Sequence, residues 1–493
     1  MIAVQVSLPS GATAELQVDR ADHLSDLVAK ARQAFGRHVV AMCTRTGHRL
    51  EQVALVADLG LRHEDVLTAV VMKQMVIYAA RKYAFAAVKS DGSVVTWGDA
   101  EYGSDSSAVQ AQLQGDVQQI YSNLYAFAAL KSDGSVVTWG QAEHGGDSSA
   151  VQAQLQGDVQ QICSTGDAFA AVKSDGSVVT WGYAEYGGDS SAVQTQLQGD
   201  VQQIYSNHYA FAALKSDSSV VTWGQAEHGG DSSAVQAQLQ GDVQQIYSNH
   251  YAFAAVNSDG SVVTWGRAEN GGDNSAVQAQ LQGDVQQIHS AGDVFAAVKS
   301  DSSVVTWGQA EHGGDSSAVQ AQLQGDVQQI CSTDYAFAAV KSDGSVVTWG
   351  DAEHGGDSSA VQTQLQGDVQ QIYSKVGAFA ALKSDGSVVT WGQAEHGGDS
   401  SAVQTQLQGD VQQICSTEYA FAVVNSDGSV TTWGCAEYGG DSSAVQAQLQ
   451  VDVQQIYSNH YAIAAVKSDG SVVTWGQAAC GGDSSAVQAL LKQ

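Results

Sequence analysis

Residues 201–242 read VQQIYSNHYAFAALKSDSSVVTWGQAEHGGDSSAVQAQLQGD, and close variants of this text recur at a constant step of 42 residues through most of the chain. Three stretches of it read as strands: Val201 to Ile204, Tyr209 to Leu214 and Val220 to Trp223. In the second, Tyr209, Phe211 and Ala213 alternate with Ala210, Ala212 and Leu214, so apolar groups lie on both faces, as in a strand covered from both sides. The turn before the third strand is Ser-Asp-Gly-Ser in most copies, as at Ser90 to Ser93, and Asp-Gly between apolar runs is the strongest short hairpin signal. Ser218 and Ser302 replace that glycine; if the position has positive φ, each replacement costs on the order of 1 kcal/mol.

The stretch after the third strand is less decided. Over Ser106 to Gln114, Asp105 or Ser106 can cap a short helix that Gly115 ends, yet Val109, Ala111 and Leu113 also alternate with glutamines like a strand. Helix is favoured, because Ala, Gln and Leu are good helix formers and poor strand formers.

Tryptophan marks the period. Trp97, Trp139, Trp181, Trp223, Trp265, Trp307, Trp349, Trp391, Trp433 and Trp475 are all the tryptophans of the chain, each 42 residues from the last. Such regularity is expected of a residue that ends a core strand and packs against the next unit. No linker splits the array, so the ten units form either one enlarged ring or an open superhelix, and the open form is preferred.

Composition agrees with a folded chain: 43% of residues are hydrophobic and Pro9 is the single proline. The formal charge of −31 is uneven, for residues 1–75 hold 8 basic and 8 acidic side chains while the remainder holds 13 and 44. An acidic array repels phosphate backbones and anionic lipid heads, so nucleic acid and membrane are poor partners. The start alternates like a strand and lacks a signal-peptide pattern, and the expected location is intracellular, cytoplasmic or nuclear. Six cysteines in 493 residues make no disulfide framework. Cys163, Cys331 and Cys415 share a slot filled elsewhere by Tyr or His, which reads as reduced structural cysteine.

Ahead of the array, Met1 to Val6 and Ala14 to Val18 alternate as a hairpin about Gly11. Leu24, Leu27, Val28, Ala31 and Phe35 recur at helical spacing between Asp22 as cap and Gly36 as stop. Strands follow at Val39 to Cys43 and Val66 to Val71. This order, with Gly47-His48-Arg49-Leu50-Glu51, Leu55, Leu59-Gly60-Leu61 and Asp65-Val66-Leu67, resembles the ubiquitin-like β-grasp fold. No Gly-Gly tail follows the last strand, and polar Thr44 falls near the centre of the family's apolar patch.

The repeat, with Tyr83 to Val88, Asp91-Gly92, Trp97-Gly98 and Tyr102-Gly103 as its first copy, resembles the regulator of chromosome condensation repeat. That family forms β-propellers, generally of seven blades, and includes a nucleotide exchange factor for a small GTPase, repeat domains of ubiquitin ligases and an inhibitor of β-lactamase. Here Ala100 and Ala142 stand where the family has Asn, and Gly-Gly-Asp-Ser replaces its Gly-Gln-Leu-Gly. The expected fold is therefore mainly β: a β-grasp domain over residues 1–74, then ten propeller-like units over 75–493, beginning with a degenerate strand at Met75 to Tyr78.

Each repeat supplies Ser, His and Asp, so a catalytic triad can be drawn anywhere, which argues against any one of them and against an enzyme. The pairs Glu143-His144, Glu227-His228, Glu311-His312, Glu353-His354 and Glu395-His396 are better candidates. Imidazole and carboxylate bind zinc, but the histidine slot elsewhere holds Tyr102, Tyr186, Asn270, Tyr438 and Cys480, which share no ligand chemistry. These ten residues read instead as solvent-facing contacts for a partner, with no metal and no cofactor expected; the Asp-rich turns match no calcium loop. The function expected is a non-catalytic interaction scaffold: an acidic repeated surface for a protein with a basic segment, plus a ubiquitin-like docking domain. A ubiquitin-pathway or ligase-associated role and small-GTPase nucleotide exchange are the alternatives, neither of which has its catalytic cysteine, zinc domain or inserted wedge here.

Overall fold

The computed structural model describes residues 83–491 continuously and, before them, residues 2–7, 13–19, 22, 26–28, 30–31, 39–44, 50, 56, 59, 61, 65–71 and 75–80. It divides into two compact units, one of Met1–Val76 with Lys89–Asp91 and one of Ile77–Val88 with Gly92–Gln493.

In the first unit, strands β1 (Ile2–Ser7), β2 (Thr13–Val18), β3 (Val39–Thr44) and β4 (Val66–Val71) form a mixed sheet in the order β2-β1-β4-β3. The outer pairings are antiparallel and β1 runs parallel to β4. Helical residues 26–28 and 30–31 bury Leu27, Val28 and Ala31 in a core with Val4, Val6, Met42 and Leu67. The expected helix stop at Gly36 and the motif at Gly47-His48-Arg49 lie outside the described residues.

The second unit contains ten three-stranded antiparallel sheets. In one repeat the strands are Val117–Ser122, Ala126–Lys131 and Val136–Gly140. The first runs two residues further than its apolar pattern indicates. A bulge between Val117 and Gln119 lets two consecutive glutamines face outward while Val117 and Ile120 stay buried. The middle strand is buried along both faces, as its alternation requires. Phe169 and Ala171 of one sheet meet Ala126, Ala128 and Leu130 of the sheet before it, with Trp181 and Leu155 in the same cluster. Each core thus lies between two repeats, and no repeat owns one.

The stretch after the third strand is helical, but as a 3-10 helix over Ser107–Leu113 rather than an α-helix. Its end also keeps a trace of the strand alternative: Gln114 makes a single antiparallel bridge to Ser93. The turn position does adopt positive φ, +80° at Gly92, +62° at Ser218 and +61° at Ser302. At Ser218 the neighbouring loop adjusts: Asp116 and its equivalents take φ near +60° to +67° in most repeats, but Asp242 is not among them.

Two expectations require correction. The array is a closed ring, not an open superhelix. Each tryptophan indole donates to a glycine carbonyl of the preceding repeat, Trp139 to Gly103 at 2.8 Å and Trp265 to Gly229 at 3.1 Å, and Trp97 makes the same bond to Gly481 of the last repeat at 3.1 Å. Tyr83 and Tyr461 pack with ring centroids 5.4 Å apart, and Tyr457 meets the backbone of Ile77 as Tyr121 meets that of Ile162. The physical reason is that a small rotation at each of many identical seams sums to a full turn, which no single repeat reveals. The first strand of the array is Val76–Ala80, not Met75 to Tyr78, and its register is shifted by one. Ser122 Oγ donates to Ala79 O, 43 residues away, where Ser164 donates to Ser122 at a separation of 42. No helix among the described residues is long and apolar enough to cross a membrane.

A candidate binding face

Antiparallel connection sends two segments of every repeat to the same end of the ring. These are the loop between first and second strands, such as residues 123–125, and the short 3-10 turn after the third, such as Ala142–His144. The Asp-Gly hairpins lie at the opposite end. The face with the loops carries all ten residues expected to contact a partner.

The glutamates and histidines of those pairs behave differently. Glu143, Glu227, Glu311, Glu353 and Glu395 are exposed, whereas their histidines are half-buried, so the histidines are not the simple solvent-facing positions expected. Each turn forces this split. Gly145 ends it at φ +98°, and a Cβ there would sit 2.6 Å from Phe169 of the next repeat, so the turn lies flat on its neighbour. The imidazoles are thereby laid against the tyrosines of the loops. His144 stacks on Tyr125 at 4.3 Å and His228 on Tyr209 at 4.4 Å. Tyr335 lies between His312 at 4.9 Å and His354 at 4.6 Å, and Tyr419 between His396 at 4.7 Å and Tyr438 at 4.8 Å.

Together these rings make an aromatic belt in two stretches, His396 through Tyr461 and Tyr83 to Tyr251, and His312 through Tyr335 to His354, with gaps where Asn270 and Asp293, and then Gly377, replace the rings. The sequence reading missed it, because the tyrosine and the ring at the slot stand 19 residues apart in the same repeat. Their common period was the available signal. At Asn270 the slot holds no ring, and there the Arg267 guanidinium lies over Tyr251, 5.8 Å from its centroid, while pairing with Glu269.

Polar partners hold the imidazoles in place. His144 Nδ1 lies 2.7 Å from Asp167 Oδ1, His312 Nδ1 2.9 Å from Asp293 Oδ2 and His354 Nδ1 2.8 Å from Asp351 Oδ1. His228 Nδ1 is 2.7 Å from Gln225 Oε1. Burial, aided by the Arg267 charge, holds His228 below the ordinary histidine range, and burial with the neighbouring His354 does the same to His396. Both present neutral rings near pH 7. Behind the belt, Asn123 Oδ1 accepts from the Tyr125 and Ala126 amides while its Nδ2 donates to His144 O, tying loop to turn.

Nearer the axis, the loops themselves meet. Leu124 N donates to Gly166 O, Gly166 N to His208 O, Gly292 N to Asp334 O and Glu418 N to His460 O. A cavity of about 550 Å³ is lined by Leu124, His208, His250, Asp334, Glu418 and His460 among others, so loops from opposite parts of the ring converge there. The Asp334 carboxyl is raised above the usual carboxylate range by burial, against the opposing charges of His250 and Lys375. Among the described residues, no group of three or more His, Cys, Asp or Glu is placed to hold a metal ion.

No protein-family model matches the chain. No curated protein matches it either. Among solved structures it is similar to the computationally designed Ika8 protein, at 13% identity over 65% of this chain and 96% of that one, with a TM-score of 0.29. Human WBSCR16 is similar at 15% identity over 50% of this chain and 81% of its own, with a TM-score of 0.30. Yeast RCC1 (Prp20), in a structure with Kap60, is similar at 14% identity over 53% and 78%, also with a TM-score of 0.30.

Proposed function

We propose that the ring is a non-catalytic scaffold that docks a protein partner on the face carrying the glutamates and the aromatic belt, and that the N-terminal unit is a ubiquitin-like docking domain. One observation carries the first part. Nine exposed Glu side chains, eight of them beside a half-buried ring, recur at equivalent positions on one face. Many equivalent contacts of this kind add through avidity without any unique pocket, and closed or stacked repeats commonly bind through such extended surfaces. The partner segment is basic, because acidic side chains outnumber basic ones 44 to 13 beyond residue 75. The sheet order β2-β1-β4-β3 with its parallel central pair supports the ubiquitin-like reading of the first unit.

The test is capture of a basic peptide by the immobilised full chain over a salt series. Exposed charges are screened within about 10 Å at 0.1 M salt, so affinity is expected to fall steeply as salt rises. Replacing Glu143, Glu227, Glu311, Glu353 and Glu395, five of the nine equivalent glutamates, together by Gln should weaken the binding markedly without unfolding the ring. Binding indifferent both to salt and to this variant would refute the reading.

A further inference from the structure

One repeat departs from the others on this face, and its departure resembles a bound ligand. The residue two before the glutamate is Arg267 in the fifth repeat and Gln, Asp, Tyr or Cys in the other nine. The glutamate itself is present in nine repeats, with Ala479 as the exception. Arg267 makes two contacts at once. Its guanidinium pairs with Glu269 and lies over the Tyr251 ring, 5.8 Å from the centroid. It does so in the one repeat whose slot, Asn270, supplies no ring or thiol. Its charge also reaches over the seam to His228 and Tyr209 of the preceding repeat, holding down the protonated imidazole after burial and opposing the rise of the phenol pKa that burial causes.

We propose that the belt and its glutamates form a set of arginine sites, each taking a guanidinium from the partner as the fifth repeat takes its own. This rests on the reading of the face as a docking surface for a basic segment, and narrows it. In eight of the other nine repeats the exposed carboxylate stands beside a half-exposed ring of the belt, as Glu185 beside Tyr186, Glu227 beside His228 and Glu311 beside His312. A guanidinium satisfies both features together, because its plane stacks on a π surface while its edge donates to a carboxylate. An ammonium is a compact, strongly hydrated charge with no plane to stack, so it gains less from the ring and engages chiefly the carboxylate. Burial keeps the His228 ring neutral, so it accepts a cation rather than repelling it. Arg267 is the only basic residue at its position in any repeat, so that no other belt position opposes such a segment with a fixed positive charge.

The experiment compares oligo-arginine with oligo-lysine of equal length, both dye-labelled, by fluorescence anisotropy on the full chain at fixed low ionic strength. Oligo-arginine is expected to bind about tenfold more tightly, the scale of one or two partly desolvated cation–π contacts. Two matched variants locate the cause. Tyr186→Leu, His228→Leu and His312→Leu together remove three of the eight rings that stand beside a glutamate, and should narrow the ratio of arginine to lysine affinity while leaving lysine nearly unchanged. Glu185→Gln, Glu227→Gln and Glu311→Gln together should weaken both peptides alike. Thermal melts confirm that each variant is folded; should the leucine variant not fold, the wild-type ratio decides. Equal affinity for the two peptides overturns the arginine sites and leaves the docking of basic segments standing. Binding of neither peptide at low salt overturns both.

Discussion

The seams between repeats and the face built upon them are made from the same 42-residue unit, yet they treat variation in opposite ways. At the seam, tryptophan stands at all ten positions, its indole bonded to the preceding repeat and its ring stacked on a phenylalanine, as Trp265 on Phe253 at 5.2 Å. Only Ile463 breaks the row of phenylalanines. On the face, the slot of His144 holds His, Tyr, Asn or Cys, and the axial loop position holds Leu124, Gly166, His208, Asp334, Val376 or Glu418. A buried bond that must be made at every step of a closed ring tolerates no exchange, because an orphaned donor or acceptor costs about 1–3 kcal/mol. A half-exposed ring need only be flat, and an axial loop need only fit. Among the rings, constancy along the chain therefore marks the seams that close, and variation marks the half-exposed face.

Deleting one internal 42-residue unit should break that comparison most severely. An open array would lose one nearest-neighbour term, but a closed ring must re-form with each seam at a new angle. The nine-unit protein is expected to aggregate or to lose its cooperative thermal transition; a small shift in melting temperature would show that closure contributes little.

Trp265→Ala comes next. It opens a cavity and orphans the Gly229 carbonyl, and is expected to cost about 3–5 kcal/mol by denaturant titration. His228→Ala removes one ring of the belt and is expected to cost only about 1 kcal/mol, the worth of an aromatic pair. Equal losses would erase the distinction between seam and face. Ser218→Gly relieves a residue held at φ +62° and should raise stability by about 1 kcal/mol.

The smallest effect is one of pH. His289 occupies a position held by tyrosine in five repeats and by cysteine in three, and burial lowers its pKa from 6.5. The unfolded chain then takes up its proton first, so this contribution to stability is present above pH 6.5 and is lost as pH falls towards the folded-state value. His228 and His396 act in the same sense. Asp334, raised by burial, acts in the opposite one, since its folded form holds a proton that the unfolded chain has released. His289→Tyr should flatten the acid limb of a melting-temperature profile; an unchanged limb would assign that limb to other groups.

The repeat, its strands, the hairpin at Asp-Gly and the positive φ that strains Ser218 and Ser302 were all legible in the sequence, because each is written within a few residues. The glutamates and histidines of the face were legible as positions but not as surroundings. Tyr125 meets His144, and His144 meets Asp167 of the next repeat, through returns of the chain that local pattern does not encode. The segment Ser107–Leu113 was read as helix from propensity, and its tight 3-10 form follows from its place between a third strand and the neighbouring repeat.

By itself, then, the sequence determined the unit, its number of copies and the residues that fill each seam, since period and alternation are local properties. Closure, the aromatic belt, the converging axial loops and the Arg267 contact were decided only by tertiary structure. All four depend on the angle between neighbouring sheets. That angle arises from Phe169, Gly145 and Trp181 packing together between two repeats, and no residue of either repeat specifies it alone.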